Sequence, residues 1–236
     1  MSRLCLALTV IMLVGAGAAL GQDDKNIIRG YGKFVDPDKD CTGRLEQGKL
    51  IITVPGKDHD LGAERNQTSA PRVLQELRGD FIVQVRVTGE FKPGDPATAD
   101  RAPFNGAGIL IMKDEATYIR LERATFHRGG QNFVYTSFEM RHNGEVERFA
   151  LPTDFPLDES KDTFLRLERR GDKILAAVSQ ERDKWTYLEA KTVELPAKTL
   201  VGLAAVNTST RAFTPHFDEY RIFREVIEQV PQQRAK

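Results

Sequence analysis

The sequence is poor in cysteine, tryptophan and histidine, and it has no net charge. Among 236 residues it has 2 cysteines, 4 histidines and a single tryptophan, and its 34 basic residues balance 34 acidic ones. A nucleic-acid or anionic-membrane partner would require a basic stripe, so the even mixture of charges argues against both. The histidines show no metal-ligand spacing and no cysteine–histidine cluster is visible, so neither a zinc site nor a hydrolytic triad is predicted.

Long apolar runs are absent after the first segment of the chain. Arg3 is followed by apolar and small residues from Leu4 to Leu20, and then by polar residues. This order is typical of a secretory signal peptide, which we expect to span residues 1–21 and to be cleaved after Gly21. An uncleaved membrane anchor, the alternative, needs about 20 apolar residues, and this run is slightly shorter. The sequence therefore predicts a secreted or periplasmic protein whose mature chain has no transmembrane segment.

Removal of the signal peptide would leave Cys41 as the only cysteine, because Cys5 lies within it. No internal disulfide could then form, so the fold must depend on its core. We expect Cys41 to be a small, buried apolar residue, because no base is signalled near it. The remaining length suffices for one domain, which we place at residues 22–224, followed by a polar tail at 225–236.

The mature chain has the pattern of short strands separated by turns. Residues 81–88 alternate apolar and polar side chains, and residues 108–112 are apolar on both faces, as in a central strand. Asn143-Gly144 is the strongest hairpin signal, and no ten-residue window has convincing helical periodicity. These features predict an all-β fold, a two-sheet antiparallel β-sandwich.

Two hexapeptides, Tyr118–Arg123 (YIRLER) and Phe164–Arg169 (FLRLER), are near copies of each other. In each, an aromatic residue, an arginine and a glutamate alternate with aliphatic residues, so the polar set shares one face of a strand. The aliphatic face must point into the core. We expect both strands in one sheet, with their Arg/Glu faces on its open side. A structural Arg–Glu ladder between strands is favoured, and a ligand-binding groove and a hydrolytic pair are the alternatives.

Five segments form a specific combination along the chain: DPDKDC (36–41), GKLIITVPGKDHDL (48–61), APRVLQELRGDFIVQVRVTGEF (70–91), NGAGILIMKDEATYIRLERATF (105–126) and FDEYRIF (217–223). Together they resemble a family of secreted bacterial domains of unassigned function, related to the concanavalin A-like C-terminal β-sandwich of β-xylosidases. The resemblance covers roughly residues 28–224. It implies a jelly-roll fold of the lectin and glucanase type and suggests carbohydrate as the ligand, but it implies no particular activity.

A glycoside-processing enzyme with Glu122 and Glu168 as its paired carboxylates is one alternative function. Each of these glutamates has an arginine two residues away on the same face, which lowers a carboxyl pKa and disfavours a general acid. The Glu-x-Asp-x-x-Glu cluster of sandwich-type glucanases is also absent. We therefore expect no catalytic residue.

A non-catalytic carbohydrate-binding domain is the predicted function. Charged side chains of the hexapeptides would bind sugar hydroxyls, and nearby aromatic rings would contact the sugar ring. The predicted set is Tyr118, Arg120, Glu122, Tyr135, Arg166, Glu168 and Trp185. For a lone tryptophan, however, a core or edge position is favoured over a ligand contact. A further alternative is an extracellular or envelope assembly module without a small ligand.

A structural calcium ion is an additional hypothesis. Asp36, Asp38 and Asp40 alternate in DPDKDC and offer hard oxygen ligands, as calcium loops do. In lectin-like sandwiches such an ion often bridges the first strands and an aspartate at the start of the last one, so the resemblance implies Asp218 as a further ligand. A solvated acidic turn is the alternative, and no other cofactor is expected.

Overall fold

The computed structural model describes residues 26–95, 97, 98, 101–150 and 152–224. The predicted signal peptide and polar tail lie outside the described residues. The strands of this part of the chain are β1 (Ile27–Ile28), β2 (Gly32–Val35), β3 (Thr42–Glu46), β4 (Lys49–Thr53), β5 (Leu61–Gly62), β6 (Gln67–Thr68), β7 (Arg72–Arg78), β8 (Phe81–Thr88), β9 (Phe104–Asp114), β10 (Thr117–Arg128), β11 (Gln131–His142), β12 (Glu145–Ala150), β13 (Thr163–Arg170), β14 (Lys173–Ser179), β15 (Thr186–Tyr187), β16 (Lys191–Thr192), β17 (Lys198–Asn207) and β18 (His216–Phe223). A short 3-10 helix spans Ala63–Arg65. No helix in the described ranges is long and apolar enough to cross a membrane.

The strands form two large antiparallel sheets, named sheet A and sheet B here. Sheet A has the order β1-β2-β7-β17-β9-β10-β11-β12, and sheet B has the order β15-β14-β13-β8-β18-β4-β3, with β16 also paired to β14. β5 and β6 form a small separate hairpin. The predicted all-β, two-sheet antiparallel sandwich is therefore confirmed.

The core lies between the two sheets and is built from alternate residues of their strands. The inward residues of β8 are almost completely buried: Phe81, Val83, Val85 and Val87. Ile119 and Leu121 of sheet A join the same core cluster as Leu165 and Leu167 of sheet B. Burial of each such side chain contributes about 1.5–3 kcal/mol relative to exposure, so this core can stabilise the fold without a disulfide.

The predicted Asn-Gly hairpin joins β11 to β12. Asn143 and Gly144 have φ angles of 51° and 85°, the positive values that a two-residue type I′ turn requires. Because its backbone twist matches that of the paired strands, this turn allows β12 to extend the edge of sheet A.

The two hexapeptides lie in different sheets, so the prediction of a single sheet is wrong. Tyr118–Arg123 belongs to β10 in sheet A, and Phe164–Arg169 belongs to β13 in sheet B. Their aliphatic residues meet in the shared core, and their Arg/Glu faces consequently point outward on opposite sides of the sandwich. An inward aliphatic pattern shows only that a strand borders the core, and a strand in either sheet satisfies it.

The outer face of sheet A is partly covered by a second apolar cluster. It consists of Leu61, Ala70, Leu74, Leu110, Met112, Tyr118, Ala204 and Val206. The first two of these residues come from the segment around β5 and β6, which lies over the sheet. This covering explains why residues 108–112 are apolar on both faces, as predicted for a central strand.

Candidate functional site

A cleft of about 260 Å³ opens on the outer face of sheet A, beside the second apolar cluster. We call it the sheet A cleft. Its lining residues are Asp60, Glu64, Arg65, Arg101, Ala102, Phe104, Arg120, Tyr135, Ser137, Glu139, Arg141, Arg148 and Thr208. Charged side chains of both signs dominate this lining. The cleft is therefore a polar site set beside an apolar cover.

The register of β10 and β11 brings the charged side chains of the cleft floor together. Arg120 lies directly opposite Glu139, and Arg141 is two residues further along the same face. The Arg120 guanidinium donates to the Glu139 carboxylate, and Arg141 Nη1 lies 2.8 Å from Glu139 Oε1. These contacts form an Arg–Glu ladder between strands. Its glutamate is Glu139, which the sequence analysis missed.

Ion pairs fasten the wall of the cleft to this floor. Arg141 Nε donates to Glu64 Oε2 at 2.8 Å, which attaches the 3-10 helix to β11. The Asp60 carboxylate pairs with Arg101 and lies 3.9 Å from Arg120 Nη1. The covering segment and the loop that carries Arg101 are thus held against the sheet by side chains that also line the cleft.

Glu122 lies at the base of this network with neither carboxyl oxygen hydrogen-bonded within the described part of the chain. Its side chain is 1% exposed, and its Oε1 is 3.7 Å from Arg120 Nη1. Burial raises the pKa of Glu122 more than Arg120 lowers it, and Glu139 raises it further. Arg120 Nε and Nη1 also lack hydrogen-bond partners there. A buried polar group without a hydrogen-bond partner lowers the stability of the fold by about 1–3 kcal/mol. The base of the cleft therefore contains polar groups that a bound ligand could pair with.

Glu139 has the opposite ionisation behaviour. Although burial raises its pKa, the two neighbouring arginines, Arg120 and Arg141, together lower the pKa of Glu139 to about 2. The two neighbouring carboxyl groups of the cleft therefore have pKa shifts in opposite directions, upward at Glu122 and downward at Glu139.

Two glycine residues of β9 leave space for the Glu122 side chain. Gly108 lies opposite Glu122, and Gly106 lies two residues along the same face. A Cβ at Gly106 would approach the Phe104 ring to 2.8 Å and Glu122 Oε2 to 3.1 Å. A larger side chain there would displace the group at the base of the cleft.

An aromatic patch continues the cleft along β10 and β11. Phe126 and Phe133 lie opposite each other and stack with ring centroids 4.9 Å apart, and Tyr135 packs edge-on against Phe126 at 5.8 Å. Phe133 is 43% exposed. Tyr135 lines both the sheet A cleft and a neighbouring apolar hollow that includes Pro152 and Pro156. A flat, partly exposed ring surface thus adjoins the charged groups.

The other half of the predicted ligand set lies on the outer face of sheet B. Arg166 Nε donates to Glu168 Oε1 at 2.8 Å, and the Arg166 guanidinium lies over the Trp185 ring, 5.9 Å from its centroid. Arg166 therefore contacts both Glu168 and Trp185, and none of the three lines the sheet A cleft. Because the sandwich core, about 10 Å thick, separates the two outer faces, Glu122 and Glu168 cannot form the alternative hydrolytic pair.

Tyr118 is completely buried and cannot provide the predicted ring contact. Its hydroxyl accepts a hydrogen bond from the Ala63 N–H at 3.1 Å, and its ring belongs to the second apolar cluster. Tyr118 supports the covering segment from below. Of the predicted ligand residues, the structure brings together Arg120, Glu122 and Tyr135 at the sheet A cleft.

Asp218 is held by basic residues rather than by the other predicted calcium ligands. Its two carboxylate oxygens each accept a hydrogen bond of 2.6 Å from Arg86, and Lys49 Nζ lies 3.5 Å away. Within the described ranges, no group of three potential metal ligands within 4.8 Å of one another includes Asp218. Asp218, the calcium ligand that the resemblance implied, is therefore paired with basic side chains instead.

A cysteine–histidine cluster is present, although the spacing of these residues in the sequence predicts none. In the described part of the chain, Asp40, Cys41 and His59 form the one group of three such side chains whose ligand atoms all lie within 4.8 Å. Cys41 is buried, as predicted, but it packs beside a histidine 18 residues away in sequence. Spacing along the chain cannot reveal a contact made by the fold.

The two sheets, their shared core and the polar cleft define a β-sandwich domain with a pocket on one outer face. The sequence matches the family described as "Protein of unknown function (DUF1349)" over residues 47–224, and the chain belongs to that family. A comparison with curated proteins gave no match.

Several solved structures share the fold. A functionally unknown protein from Saccharomyces cerevisiae has a TM-score of 0.63 and 18% identity, covering 83% of this chain and 97% of its own. The xylan β-1,4-xylosidase from Bacillus halodurans has a TM-score of 0.55 and 16% identity, with 81% of this chain and 39% of its own covered. The GH43 protein BlXynB from Bacillus licheniformis has a TM-score of 0.54 and 16% identity, with 86% and 40% covered. At such identities the likeness shows the fold alone, and it agrees with the predicted relation to a β-xylosidase sandwich domain.

Proposed function

We propose that the protein binds carbohydrate in the sheet A cleft without converting it. The observation that carries this proposal is the set of buried, unpaired polar atoms at the base of the cleft, on Arg120 and Glu122. A sugar hydroxyl both donates and accepts hydrogen bonds. Adjacent hydroxyls on one sugar ring can therefore pair with the guanidinium nitrogens and the carboxyl group at the same time, which an apolar ligand cannot do.

The aromatic patch supplies the second part of the proposed site. Sugar rings have apolar faces that pack against flat aromatic side chains, while their edges form hydrogen bonds. Tyr135 lies between the charged cleft and the Phe126–Phe133 stack. A sugar bound at the cleft would place its ring, or that of the next sugar unit, against Tyr135 and Phe133. An oligosaccharide is therefore a better match than a single small polar molecule.

The fold relatives support the choice of first ligand. This chain shares the fold of about two fifths of a xylan β-1,4-xylosidase, so xylo-oligosaccharides are the natural first probes. The predicted signal peptide adds that the ligand would be met outside the cytoplasm, in the periplasm or the medium. N-terminal sequencing of the protein recovered from those fractions would test that part of the proposal, with a start at Gln22 expected.

A glycoside-processing enzyme that uses Glu122 and Glu139 is the second candidate, because these neighbouring carboxyl groups have opposite pKa shifts, as acid–base pairs do. Binding is preferred because Arg120 and Arg141 both pair with Glu139 and lower its pKa, which makes it a weak proton acceptor. The two carboxyl groups then lack an effective general base.

The experiment is a glycan array probed with the purified protein, followed by calorimetric titration with the bound oligosaccharide. We expect saturable binding of at least one oligosaccharide class and no release of reducing sugar. Glu122→Gln keeps the shape of the side chain, so it is the key variant for the enzymatic alternative. Reducing-sugar release that disappears in a folded Glu122→Gln variant would replace the binding proposal with the enzymatic one. Absence of binding to every glycan would contradict both.

A further inference from the structure

A second cluster of reactive side chains lies outside the sheet A cleft. Cys41 directly precedes β3, and His59 directly precedes the cleft residue Asp60. The His59 side chain is 1% exposed, while the Asp40 side chain beside it is 27% exposed. The cluster is therefore buried on the protein side and reachable from solvent through the aspartate.

The three potential ligand atoms of this cluster have the mutual spacing of metal ligands. Asp40 Oδ1 lies 3.2 Å from His59 Nε2 and 3.6 Å from Cys41 Sγ, and the last two atoms are 3.9 Å apart. Around a tetrahedral zinc ion with ordinary bond lengths, such atoms are separated by about 3.3–3.6 Å. Because Cys41 Sγ is also 3.8 Å from His59 Nδ1, the imidazole or the thiol must rotate for one ion to contact all three atoms.

The neighbouring charged groups hold these ligands in place. Lys57 Nζ binds Asp40 Oδ2 at 2.8 Å, which leaves Oδ1 directed at the histidine and the thiol. Asp38 Oδ2 lies 3.5 Å from His59 Nδ1, and Cys41 Sγ lies 3.8 Å from the same nitrogen. A carboxylate at this nitrogen is the usual outer partner of a metal-binding histidine, because it fixes the orientation of the ring.

Asp36 is an independent sign that a positively charged group belongs here. Its Oδ2 accepts the backbone N–H of Cys41 at 2.8 Å, so the carboxylate lies beside the thiol. Its Oδ1 is buried and has no hydrogen-bond partner within the described residues. An unpaired carboxylate oxygen next to three metal-ligand side chains would be stabilised by a cation.

We propose that Asp40, Cys41 and His59 bind a divalent transition metal of the zinc type, with water or Asp36 at the fourth position. A thiolate and an imidazole are ligands that zinc prefers, whereas calcium takes oxygen ligands alone. The proposal therefore replaces calcium as the ion for this region. It is independent of the proposed carbohydrate binding.

Metal binding would be linked to the stability of the fold. The backbone of His59 pairs with Asn207 in both directions, at 2.8 and 2.9 Å, so the ion would brace the segment that leads into the cleft.

The test is titration of the purified protein with Zn²⁺ and with Co²⁺, followed by absorption spectroscopy and thermal unfolding. We expect one ion per chain, a thiolate-to-cobalt charge-transfer band and a raised Tm. Cys41→Ser should abolish that band and weaken Zn²⁺ binding by more than about 100-fold, since even outer-shell partners cost 10–100-fold. His142→Asn, which replaces an exposed histidine outside the cluster, is the control and should leave binding and spectrum unchanged.

Asp40→Asn is the second variant, because its partly exposed position makes loss of folding a smaller concern than at Cys41. It should weaken Zn²⁺ binding while circular dichroism shows an intact fold. Zn²⁺ binding that survives Cys41→Ser undiminished would overturn the proposal. So would stabilisation by Ca²⁺ in the absence of any effect of Zn²⁺ or Co²⁺, or failure of both transition metals to bind a folded protein.

Discussion

The hexapeptides of β10 and β13 have nearly the same sequence and occupy different environments. In sheet A, the polar face of YIRLER lies under the segment around β5 and β6, and the Arg120 side chain is 5% exposed. In sheet B, the same face of FLRLER is more open, and the Arg166 side chain is 23% exposed. The hexapeptide alone therefore does not determine whether its charged residues form a site. The presence of a segment that covers the strand determines whether they do.

The arginines of the two hexapeptides also form ion pairs with glutamates at different positions. Arg166 pairs with Glu168 on its own strand, so both charges are satisfied locally. Arg120 pairs across the sheet with Glu139, which leaves Glu122 without a hydrogen bond. Glu122 at the base of the sheet A cleft lacks a hydrogen bond because Arg120 pairs with Glu139 instead. This arrangement requires a neighbouring strand that supplies a competing carboxylate.

One position has the same role in both copies. Arg123 donates to the Glu159 carbonyl and to Thr163 Oγ1, each at 2.9 Å. Arg169 donates to the Pro196 carbonyl at 2.8 Å and also to that of the preceding residue. In each sheet, the last arginine of the hexapeptide anchors a loop through backbone oxygens, so this part of the likeness is structural.

The largest difference between the copies is expected in the stability of arginine variants. Arg120→Ala leaves Glu139 and Glu122 buried beside a lost cation, which typically costs 3–5 kcal/mol, here taken as about 4 kcal/mol. Arg166→Ala breaks a solvent-accessible pair and should cost at most about 1 kcal/mol. Urea unfolding of the two variants measures both values. Equal losses would show that the burial of the sheet A copy does not matter.

The free energy of unfolding should fall at acid pH because Glu139 becomes protonated. Its folded pKa of about 2 lies below the unfolded value, so its contribution is present above the unfolded pKa and is lost as the pH falls. With an unfolded pKa of about 4.3, this loss is on the order of 3 kcal/mol between those two pH values. Glu139→Gln should flatten this part of the profile, although it lowers stability at neutral pH. An unchanged slope would contradict the ion pairs assigned to Glu139.

The smallest effect on stability should come from the glutamates of the hexapeptides. The raised pKa of Glu122 means that its contribution is present below the unfolded pKa and is lost as the pH rises through the folded value. Glu122→Gln should therefore gain stability relative to the wild type as the pH rises. Glu168→Gln breaks its pair with Arg166 and should lose up to about 1 kcal/mol. Unfolding at several pH values distinguishes the two directions, and a loss in both variants would count against a raised pKa of Glu122.

Much of the fold follows from local patterns in the sequence. Alternation predicts β8, and the Asn143-Gly144 pair predicts the turn after β11, because both depend on neighbouring residues only. β7 was not predicted. Its sequence, RVLQELR, buries the adjacent Val73 and Leu74 on both faces, so it lacks alternation, and leucine, glutamine, glutamate and arginine also favour helices.

The site was harder to predict because it depends on register. One overlooked signal was Gly129-Gly130, whose φ angles of 60° and 76° suit a two-residue hairpin turn. Counting outward from this turn places Arg120 opposite Glu139, as the structure has it. The coverage by the segment around β5 and β6, and the contact between Cys41 and His59, arise from tertiary packing and leave no such local signal.

The most direct test of the central claim is a calorimetric titration of the wild type, Tyr135→Ala and Trp185→Ala with the oligosaccharide found on the array. The two substitutions remove one aromatic ring from the outer face of each sheet. If carbohydrate binds at the sheet A cleft, Tyr135→Ala should weaken binding by about tenfold or more, since ring contacts of this kind are worth about 0.5–1.5 kcal/mol beyond the area that they bury. Trp185→Ala should leave the Kd unchanged. Loss of binding in Trp185→Ala, with binding retained in Tyr135→Ala, would place the site on sheet B and contradict the account.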